Sequence, residues 1–353
     1  MVSIVPESQS DSVVFSSSLA DDVWHRLTDP RSYELWYFDA LSDDGSEAVT
    51  VTFLDNFVFS SWYNRPDTKR LNLVERATNR FPAVILTYSR DGATLFRSAT
   101  EYAFSDFTSD PTQVGCKIGP SYFKHESAAY GSGFRVSVEG PLSGDKYLEA
   151  HFEWLSVESD LDPRTLEPDS YHHFCNIVAP RSDVTGRITV YEVDRTIGEV
   201  VHFRGTGYHH HRMDNRWMAD TVADWYWGRA HFHDASVVFC RYREVGDERS
   251  TNRLLITQDG QLLDIEADYI ESGHSRDKFG IRYPDEMTFK SENGFALRIR
   301  PSKPVFSSFY LLRFICQAEL TLPDGSHRNN SGLVEFLVPG VLKNKWMNWL
   351  NES

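Results

Sequence analysis

The chain has 353 residues, of which 41% are hydrophobic and 14% aromatic, and its formal net charge is −15. This length suits two domains, and the excess of acidic residues argues against a general nucleic-acid binder, because phosphate contacts need clustered Lys and Arg. The same charge argues against docking on anionic membranes, so we expect neither nucleic acid nor a membrane as a partner.

Other whole-chain features predict a cytoplasmic protein. No apolar run approaches the roughly 20 residues that span a bilayer, and the polar N-terminus lacks the basic start and apolar core of a signal peptide. The four cysteines are widely separated and form no CxxC pair: Cys116, Cys175, Cys240 and Cys316. We therefore expect reduced, buried thiols rather than disulfides.

Alternation of apolar and polar residues is the dominant pattern along the chain. It recurs in "AVTVTFL" (48–54), "FRVSVEG" (134–140), "YLEAHFEW" (147–154) and "FALRIRP" (295–301). A period of two is typical of half-buried strands in antiparallel sheets. The pattern therefore predicts a mostly β protein.

Asp-Gly sequences separate several of the apolar runs. "RDG" at 90–92, "DG" at 259–260 and "PDG" at 323–325 predict hairpin turns. Helical signals are few. We expect short helices at "SLADDVWHRLTD" (18–29) and, at the end of the chain, "VLKNKWMNWL" (341–350).

So many strands over this length predict two barrels or sandwiches packed together. We place the boundary just after a histidine cluster. This gives an N-terminal β domain at 1–218 and a C-terminal β domain with a short terminal helix at 219–353. The predicted fold class is thus mostly β, with two tandem antiparallel β-barrel or sandwich domains and few short helices.

The stretch "GTGYHHHRMDNRWMADTVADWYWGRAHFHD" (205–234) has the densest set of proton-transferring, metal-binding and aromatic side chains in the chain. If its first part is a strand, His209 and His211 point to one face and His210 to the other. Two functional interpretations are open for these histidines, a metal site and an acid/base site.

In the metal interpretation, His209 and His211 chelate one zinc ion, and His231 and His233 provide a second His-x-His pair. The spacing permits chelation but is not specific for it. A catalytic zinc also needs a consistent third ligand, which the sequence does not nominate. We therefore favour free imidazoles and predict no metal and no other cofactor.

In the acid/base interpretation, a neutral histidine transfers protons near neutral pH. Tyr208, Asp214 and Asn215 lie close by and would donate, accept or orient, while Trp225 and Trp227 would wall an apolar chamber. A few polar groups among aromatic rings are the usual composition of a small-molecule site. The structural alternative is hydrogen bonding at a barrel rim for the histidines and core packing for the tryptophans.

Two other stretches contain candidate residues. "SYELWYFDALSDDG" (32–45) includes Trp36, Tyr37 and Asp39 at the start of the first clear strand. For Asp39 we favour a structural role, capping a turn or pairing with Arg229, over catalysis. "YHHFCNIVAPRSDVTGRITV" (171–190) has two histidines before a turn into a strand.

Familiar catalytic signatures are missing from the sequence. It has no GxGxxG before a helix, no GxxxxGK[ST], no GxSxG and no HExxH. Nucleotide chemistry and serine hydrolysis are therefore disfavoured.

Three features occur together in one superfamily: "ELWYFDALSDDG" (34–45), "APRSDVTGRITV" (179–190), and "GTGYHHHR" (205–212) followed by "WYWGRAHF" (225–232). Their order and spacing resemble the carotenoid 1,2-hydratase (hydroxyneurosporene synthase) superfamily. The resemblance implies two lipocalin-like β domains in tandem. Members of the superfamily include hydratases of isoprenoid double bonds and fungal natural-product cyclases of the Diels-Alderase type.

The chain departs from the hydratase branch at three places. That branch has Tyr-x-Asp, whose aspartate is thought to protonate the alkene, where this chain has Tyr208-x-His210. It has His-x-Trp where this chain has His172-x-Phe174, and Asn-Trp-Gly where "RMDNRW" (212–217) stands. Protonating an unactivated alkene needs a stronger acid than an imidazolium, so the chain is more similar to the cyclase members.

The resemblance and the residues together imply a cofactor-free cyclase of secondary metabolism, with an apolar polyketide or terpenoid bound between the domains. The expected reaction is an acid/base-assisted dehydration or proton shift to a reactive diene or quinone methide, followed by a (hetero-)Diels-Alder cycloaddition. We assign His210 or His211 as the acid/base and Asp214 as the group that orients a histidine. The hydrogen-bond donors are Tyr208, Asn215 and His173. The aromatic residues that contact the substrate are Trp225, Trp227, Phe174 and Trp36.

Three alternatives stay open. The first is a hydratase or dehydratase of an isoprenoid substrate, and the second is a zinc-dependent hydrolase or lyase that uses the His-x-His pairs. The third is a non-catalytic lipocalin-type carrier, which predicts tight binding of an apolar ligand, quenched tryptophan fluorescence and no product. The sequence indicates no particular oligomeric state.

Overall fold

The computed structural model describes residues 13–64, 80–129, 131–162 and 173–344. These residues form two antiparallel sheets and almost no helix, which confirms the predicted fold class. Each sheet curls into a half-barrel, as expected for two tandem lipocalin-like domains.

The first sheet contains 12 strands. Their bounds are β1 Val14–Ser16, β2 Tyr33–Ser42, β3 Glu47–Leu54, β4 Ala83–Arg90, β5 Ala93–Glu101, β6 Phe107–Thr108, β7 Gly115–Ile118, β8 Ser121–Ala128, β9 Gly131–Pro141, β10 Tyr147–Glu158, β11 Phe174–Tyr191 and β12 Ile197–Asp214. The order is β5-β4-β3-β2-β12-β11-β10-β9-β8-β7-β6, and β1 pairs with β11 in parallel. Strand β12 therefore lies between β2 and β11, in the middle of the sheet.

The second sheet contains nine strands in the order β16-β15-β14-β13-β21-β20-β19-β18-β17. Their bounds are β13 Val222–His231, β14 Ser236–Glu244, β15 Thr251–Gln258, β16 Gln261–Glu266, β17 Asp268–Arg276, β18 Arg282–Lys290, β19 Ala296–Ser307, β20 Leu311–Thr321 and β21 His327–Leu337. The short helix α1, Met218–Thr221, connects β12 to β13. The predicted domain boundary at residue 218 falls in this connection and stays a prediction.

The three Asp-Gly hairpins are confirmed. They connect β4 to β5, β15 to β16 and β20 to β21. In the first of these, Asp91 and Gly92 both have positive φ angles (51° and 82°), as a tight hairpin turn requires.

Outside the strands, 3₁₀ helices cover Phe104–Asp106, Ser143–Asp145 and Pro339–Lys343. No helix among the described residues is long and apolar enough to cross a membrane.

The helix predicted at 18–29 is wrong, because that segment consists of turns and irregular backbone. Its backbone donors are satisfied by side chains of the sheet instead of by a helix. The Ser18 N–H donates to Asn176 Oδ1 at 2.9 Å, and the His25 N–H donates to the carboxylate of Glu34 at 3.0 Å. Most of the predicted terminal helix lies outside the described residues, which end at residue 344.

Apolar residues pack in three main places: inside the first sheet, inside the second sheet, and between the two. The four cysteines are buried and free, as expected. The layer between the sheets contains Tyr37 and Tyr208 from the first sheet and Trp225 and Trp227 from the second. The packing between the sheets is therefore rich in aromatic rings.

Strand β12 presents two unlike faces to these layers, and the alternation predicted for its histidines is confirmed. His209 and His211 lie inside the first sheet, where they stack on Phe38 and Trp36. We call this the interior face. Tyr208, His210 and Arg212 point towards the second sheet, with the rings of Tyr208 and His210 and the guanidinium of Arg212 near Trp227. We call this the interdomain face.

Candidate active site

A cavity of about 80 Å³ lies between the two sheets. Its walls are mainly apolar: Leu35, Leu54, Phe59, Ile85, Met218, Phe306, Tyr310, Leu311 and Leu337. Its charged groups are Arg97, Arg212, Arg313 and Glu335. Apolar walls with a few converging polar groups are the usual composition of a small-molecule site.

A wider surface cleft of about 690 Å³ adjoins this cavity. Both are lined by Arg97 and Phe306, and the guanidinium carbon of Arg97 lies 5.1 Å from the centre of the Phe306 ring. The inner cavity is smaller than the roughly 300 Å³ or more that drug-sized ligands occupy. Binding of such a ligand therefore requires these lining side chains to move.

Three hydrogen-bonded residues form the polar centre of the cavity: Tyr37, Arg313 and Glu335. The Tyr37 hydroxyl donates to Glu335 Oε1 at 2.6 Å, and Arg313 Nε donates to the same oxygen at 2.7 Å. Arg313 and Glu335 are directly opposite each other on β20 and β21. Arg313 also donates to Thr50 Oγ1 at 2.8 Å, so the polar centre joins the two sheets.

The protonation states of the polar centre follow from burial and charge. Burial raises the pKa of Tyr37 well above its usual value, so the phenol stays protonated. Burial lowers the pKa of Arg313, but the neighbouring Glu335 and Tyr37 more than offset this, and the net shift is upward. The centre thus pairs a phenol donor and a guanidinium cation around one carboxylate.

Arg212 is a buried cation beside the polar centre. Only 8% of the surface of Arg212 is exposed. Its guanidinium carbon lies 3.6 Å from the ring centre of Trp225 and 4.4 Å from that of Trp227. Nε and Nη2 have no hydrogen-bond partner, and no carboxylate among the described residues forms an ion pair with Arg212. Buried charges are normally paired, so these donors suit an anionic or strongly polarised oxygen of a ligand.

His210 lies behind the cavity wall and does not line the cavity. Its ring stacks on Tyr37 with centroids 4.9 Å apart and contacts Trp227 at 5.2 Å. Burial and the nearby charge of Arg212 lower its pKa well below the usual value, so the imidazole is neutral near pH 7. Its Nδ1 atom has no hydrogen-bond partner among the described residues. The geometry therefore makes it a support for Tyr37.

His211 lies on the opposite face, within the first sheet. Its Nε2 atom is 3.3 Å from Glu34 Oε2, and its Nδ1 atom is 3.5 Å from Asp22 Oδ1. The Nε2 atom of His209 is hydrogen-bonded to the other oxygen of Asp22, Oδ2, at 3.0 Å. Trp36 stacks on His211 at 4.6 Å and is likewise remote from the interdomain cavity.

Asp214 orients a histidine, but that histidine is His173 and not one of the three consecutive ones. His173 Nδ1 lies 3.2 Å from Asp214 Oδ2, and the same carboxylate accepts from Arg216 at 3.0 Å. Burial lowers the pKa of His173, although Asp214 opposes the shift. Phe174 is buried at the start of β11, and Asn215 is half-buried in the turn after β12.

Among the described residues, the two His-x-His pairs of the metal interpretation do not come together as one group of metal ligands. His231 is hydrogen-bonded to Ser236 Oγ at 3.1 Å, and His233 is exposed. The structural pairing expected for Asp39 is confirmed, since Arg229 donates to its Oδ1 from Nε at 2.7 Å and from Nη2 at 2.5 Å. This ion pair connects β2 of the first sheet to β13 of the second.

None of the residues that the sequence assigned to catalysis or substrate binding lines the cavity itself, although Tyr37, from one of the candidate stretches, does. His210 contacts Tyr37 behind the cavity wall, and Trp225 and Trp227 contact Arg212. Tyr208 contacts His210 and Trp227. The sequence pattern could have indicated Arg212, because this residue continues the alternating face of Tyr208 and His210. It could not have indicated Arg313 and Glu335, because only the packing of the second sheet brings these residues to the first.

Comparison with known proteins agrees with this fold. No family model matches the chain. A curated relative, the hydroxyneurosporene dehydrogenase of Chlorobaculum tepidum, is 23% identical over 344 residues, which cover 94% of this chain and 88% of the relative.

Three solved structures have the same architecture. A putative AttH protein of Nitrosomonas europaea has a TM-score of 0.58 at 14% identity, covering 96% of this chain and 99% of that one. CghA with Sch210972 has a TM-score of 0.54 at 13% identity, covering 92% and 94%. Kievitone hydratase from Nectria haematococca has a TM-score of 0.54 at 10% identity, covering 93% and 96%. The likeness to these solved structures is one of fold.

Proposed function

We propose that this chain is an enzyme that dehydrates, or shifts a proton on, an apolar polyketide or terpenoid and then guides its cycloaddition between the two sheets. The observation that carries this proposal is the polar centre of Tyr37, Arg313 and Glu335 within an otherwise apolar cavity. Arg212 adds a cation with free donors at the same place.

The dehydration step uses the hydrogen bond between Tyr37 and Glu335. Glu335 takes a proton from the carbon next to a substrate carbonyl, and Arg212 stabilises the negative charge that develops on the carbonyl oxygen. Tyr37 gives its proton to the departing hydroxyl group and regains one from Glu335. One C–H bond and one C–O bond break, a C=C bond forms, and water leaves.

The cycloaddition that follows needs no further proton transfer. Its two new bonds form when the π systems lie in register against the apolar walls. Fixing them in that geometry supplies several kcal/mol of the barrier reduction, as effective molarities of oriented reactions indicate. A hydrogen bond from Arg212 to a conjugated carbonyl would also make the dienophile more electron-poor.

The names of the relatives support the proposal. One solved relative is a hydratase, and another is known in complex with the small molecule Sch210972. The curated relative is named for hydroxyneurosporene. The loss of the hydratase-branch aspartate at His210 favours an activated substrate over an unactivated alkene.

The test compares Glu335→Gln with the matched variant Glu319→Gln, since Glu319 is a partly exposed residue paired with Arg298. Polyene β-hydroxyketones serve as substrates, and mass spectrometry detects loss of water and new rings. We expect Glu335→Gln to lose at least about 100-fold in turnover and Glu319→Gln to keep wild-type turnover. Full turnover by Glu335→Gln would refute the assignment, and tight binding without product by the wild type would favour a carrier.

A further inference from the structure

The interior of the first sheet contains a group of ionisable side chains that the interdomain chemistry does not use. Most of them have no solvent exposure, and His25 is the most exposed, with 11% of its side chain accessible. The group consists of Asp22, His25, Glu34, Asp55, Arg80, His209 and His211.

The charges of this group do not balance. It contains three carboxylates but only one guanidinium, that of Arg80, which pairs with Asp55. Asp22 and Glu34 are therefore two buried carboxylates with no guanidinium or ammonium partner within the group, and only imidazoles lie beside them. Isolated buried charges are costly, and one divalent cation would compensate both.

Glu34 lies close to two imidazoles, at distances that suit a shared metal ion. Glu34 Oε2 lies 3.3 Å from His25 Nδ1 and 3.3 Å from His211 Nε2, and one ligand atom from each of the three residues lies within 4.8 Å of the others. Zinc bonds to imidazole nitrogen and carboxylate oxygen are about 2.0–2.2 Å long, so ligand atoms at tetrahedral angles are about 3.3–3.5 Å apart. Two imidazoles and one carboxylate also form a common zinc-binding set.

Buried polar atoms without hydrogen-bond partners lie at the same place. Both ring nitrogens of His211 and the Oδ1 atom of Asp22 are fully buried, yet they make no hydrogen bond among the described residues. Asp22 Oδ1 nevertheless lies 3.5 Å from His211 Nδ1, on the side of the ring opposite Glu34. Carboxylates in this position orient metal-bound histidines in many zinc sites.

We propose that His25, Glu34 and His211 bind one divalent transition-metal ion, Zn²⁺ in the first place, with Asp22 as a positioning residue. Glu34 and His211 are inaccessible to solvent and lie on the interior face, so the ion takes no part in the interdomain reaction. The ion links the irregular segment that contains His25 to strand β2 through Glu34 and to strand β12 through His211. The proposal does not depend on the proposed function.

The test uses the untagged full-length chain, stripped with a chelator and then titrated with zinc chloride. Elemental mass spectrometry after gel filtration should find about one zinc per wild-type chain, and zinc should raise the melting temperature. His25→Ala and Glu34→Gln should each weaken zinc binding at least tenfold, and Asp22→Asn about tenfold. The matched control is His202→Ala, because His202 is exposed on the same strand as His211.

Circular dichroism checks that each variant is folded. His25 is partly exposed, so His25→Ala decides the test if Glu34→Gln does not fold. Retention of zinc by His25→Ala at the wild-type level would overturn the ligand set. A wild-type chain that keeps no zinc and shows no thermal shift would overturn the site itself.

Discussion

The interior and interdomain faces of β12 carry the same residue type in opposite electrostatic surroundings. On the interior face, His211 lies between the carboxylates of Asp22 and Glu34. On the interdomain face, His210 lies against aromatic rings and close to Arg212, and burial keeps it neutral. Three consecutive histidines are therefore not one site. Strand alternation divides them between a buried ionic group and the aromatic layer between the sheets.

The interdomain face depends on an ion pair between the sheets, and breaking it should have the largest effect. Asp39→Asn leaves Arg229 buried without its carboxylate, which should lower the free energy of unfolding by about 3–5 kcal/mol. Urea unfolding followed by tryptophan fluorescence measures the change. Asp43→Asn is the matched control, since Asp43 is an exposed residue in a surface pair. Equal stabilities of the two variants would show that the sheets do not depend on this pair.

Arg212 tests the electrostatic character of the same face. Arg212→Gln should lower turnover by about 100-fold, because removal of one donor to a developing oxyanion typically costs that much. Arg204→Gln, at an exposed arginine of the same strand, should retain wild-type turnover. A loss confined to KM would contradict stabilisation of the transition state and reduce Arg212 to a binding contact.

The pH dependence of stability sharpens the comparison. Burial lowers the folded-state pKa of His210, so the unfolded chain binds more protons than the folded chain once the pH falls below about 6.5. Stability is therefore fully present above that pH and is lost on acidification, by about 1.4 kcal/mol per pH unit for this residue. His210→Gln should flatten the decline between pH 6.5 and 5.5 in urea unfolding. An unchanged slope would mean that His210 is not buried as described.

The sequence predicted the fold because its signals are local. Alternation determined the strands, and Asp-Gly pairs such as Asp259-Gly260 determined the hairpins. Alternation also separated His210 from His211. The failure at residues 18–29 has a non-local cause, since Asn176 and Glu34 satisfy donors that an isolated helix would satisfy itself.

The candidate site was only partly predictable for the same reason. Tyr37 and Arg212 lie in segments that the sequence singled out, but Arg313 and Glu335 become relevant only through the packing of the second sheet. The proposed metal ligands are similarly distant in the chain. His25 reaches His211 only because an irregular segment covers one end of the first sheet.

The most direct test of the central claim, that chemistry occurs at the polar centre, is the single-turnover rate of Tyr37→Phe. This variant keeps the ring that stacks on His210 and removes only the hydroxyl that donates to Glu335. Tyr88→Phe is the matched control, because its hydroxyl accepts from Arg90 away from the cavity. We expect at least a tenfold loss for Tyr37→Phe and none for Tyr88→Phe. Wild-type rates in both variants would contradict it.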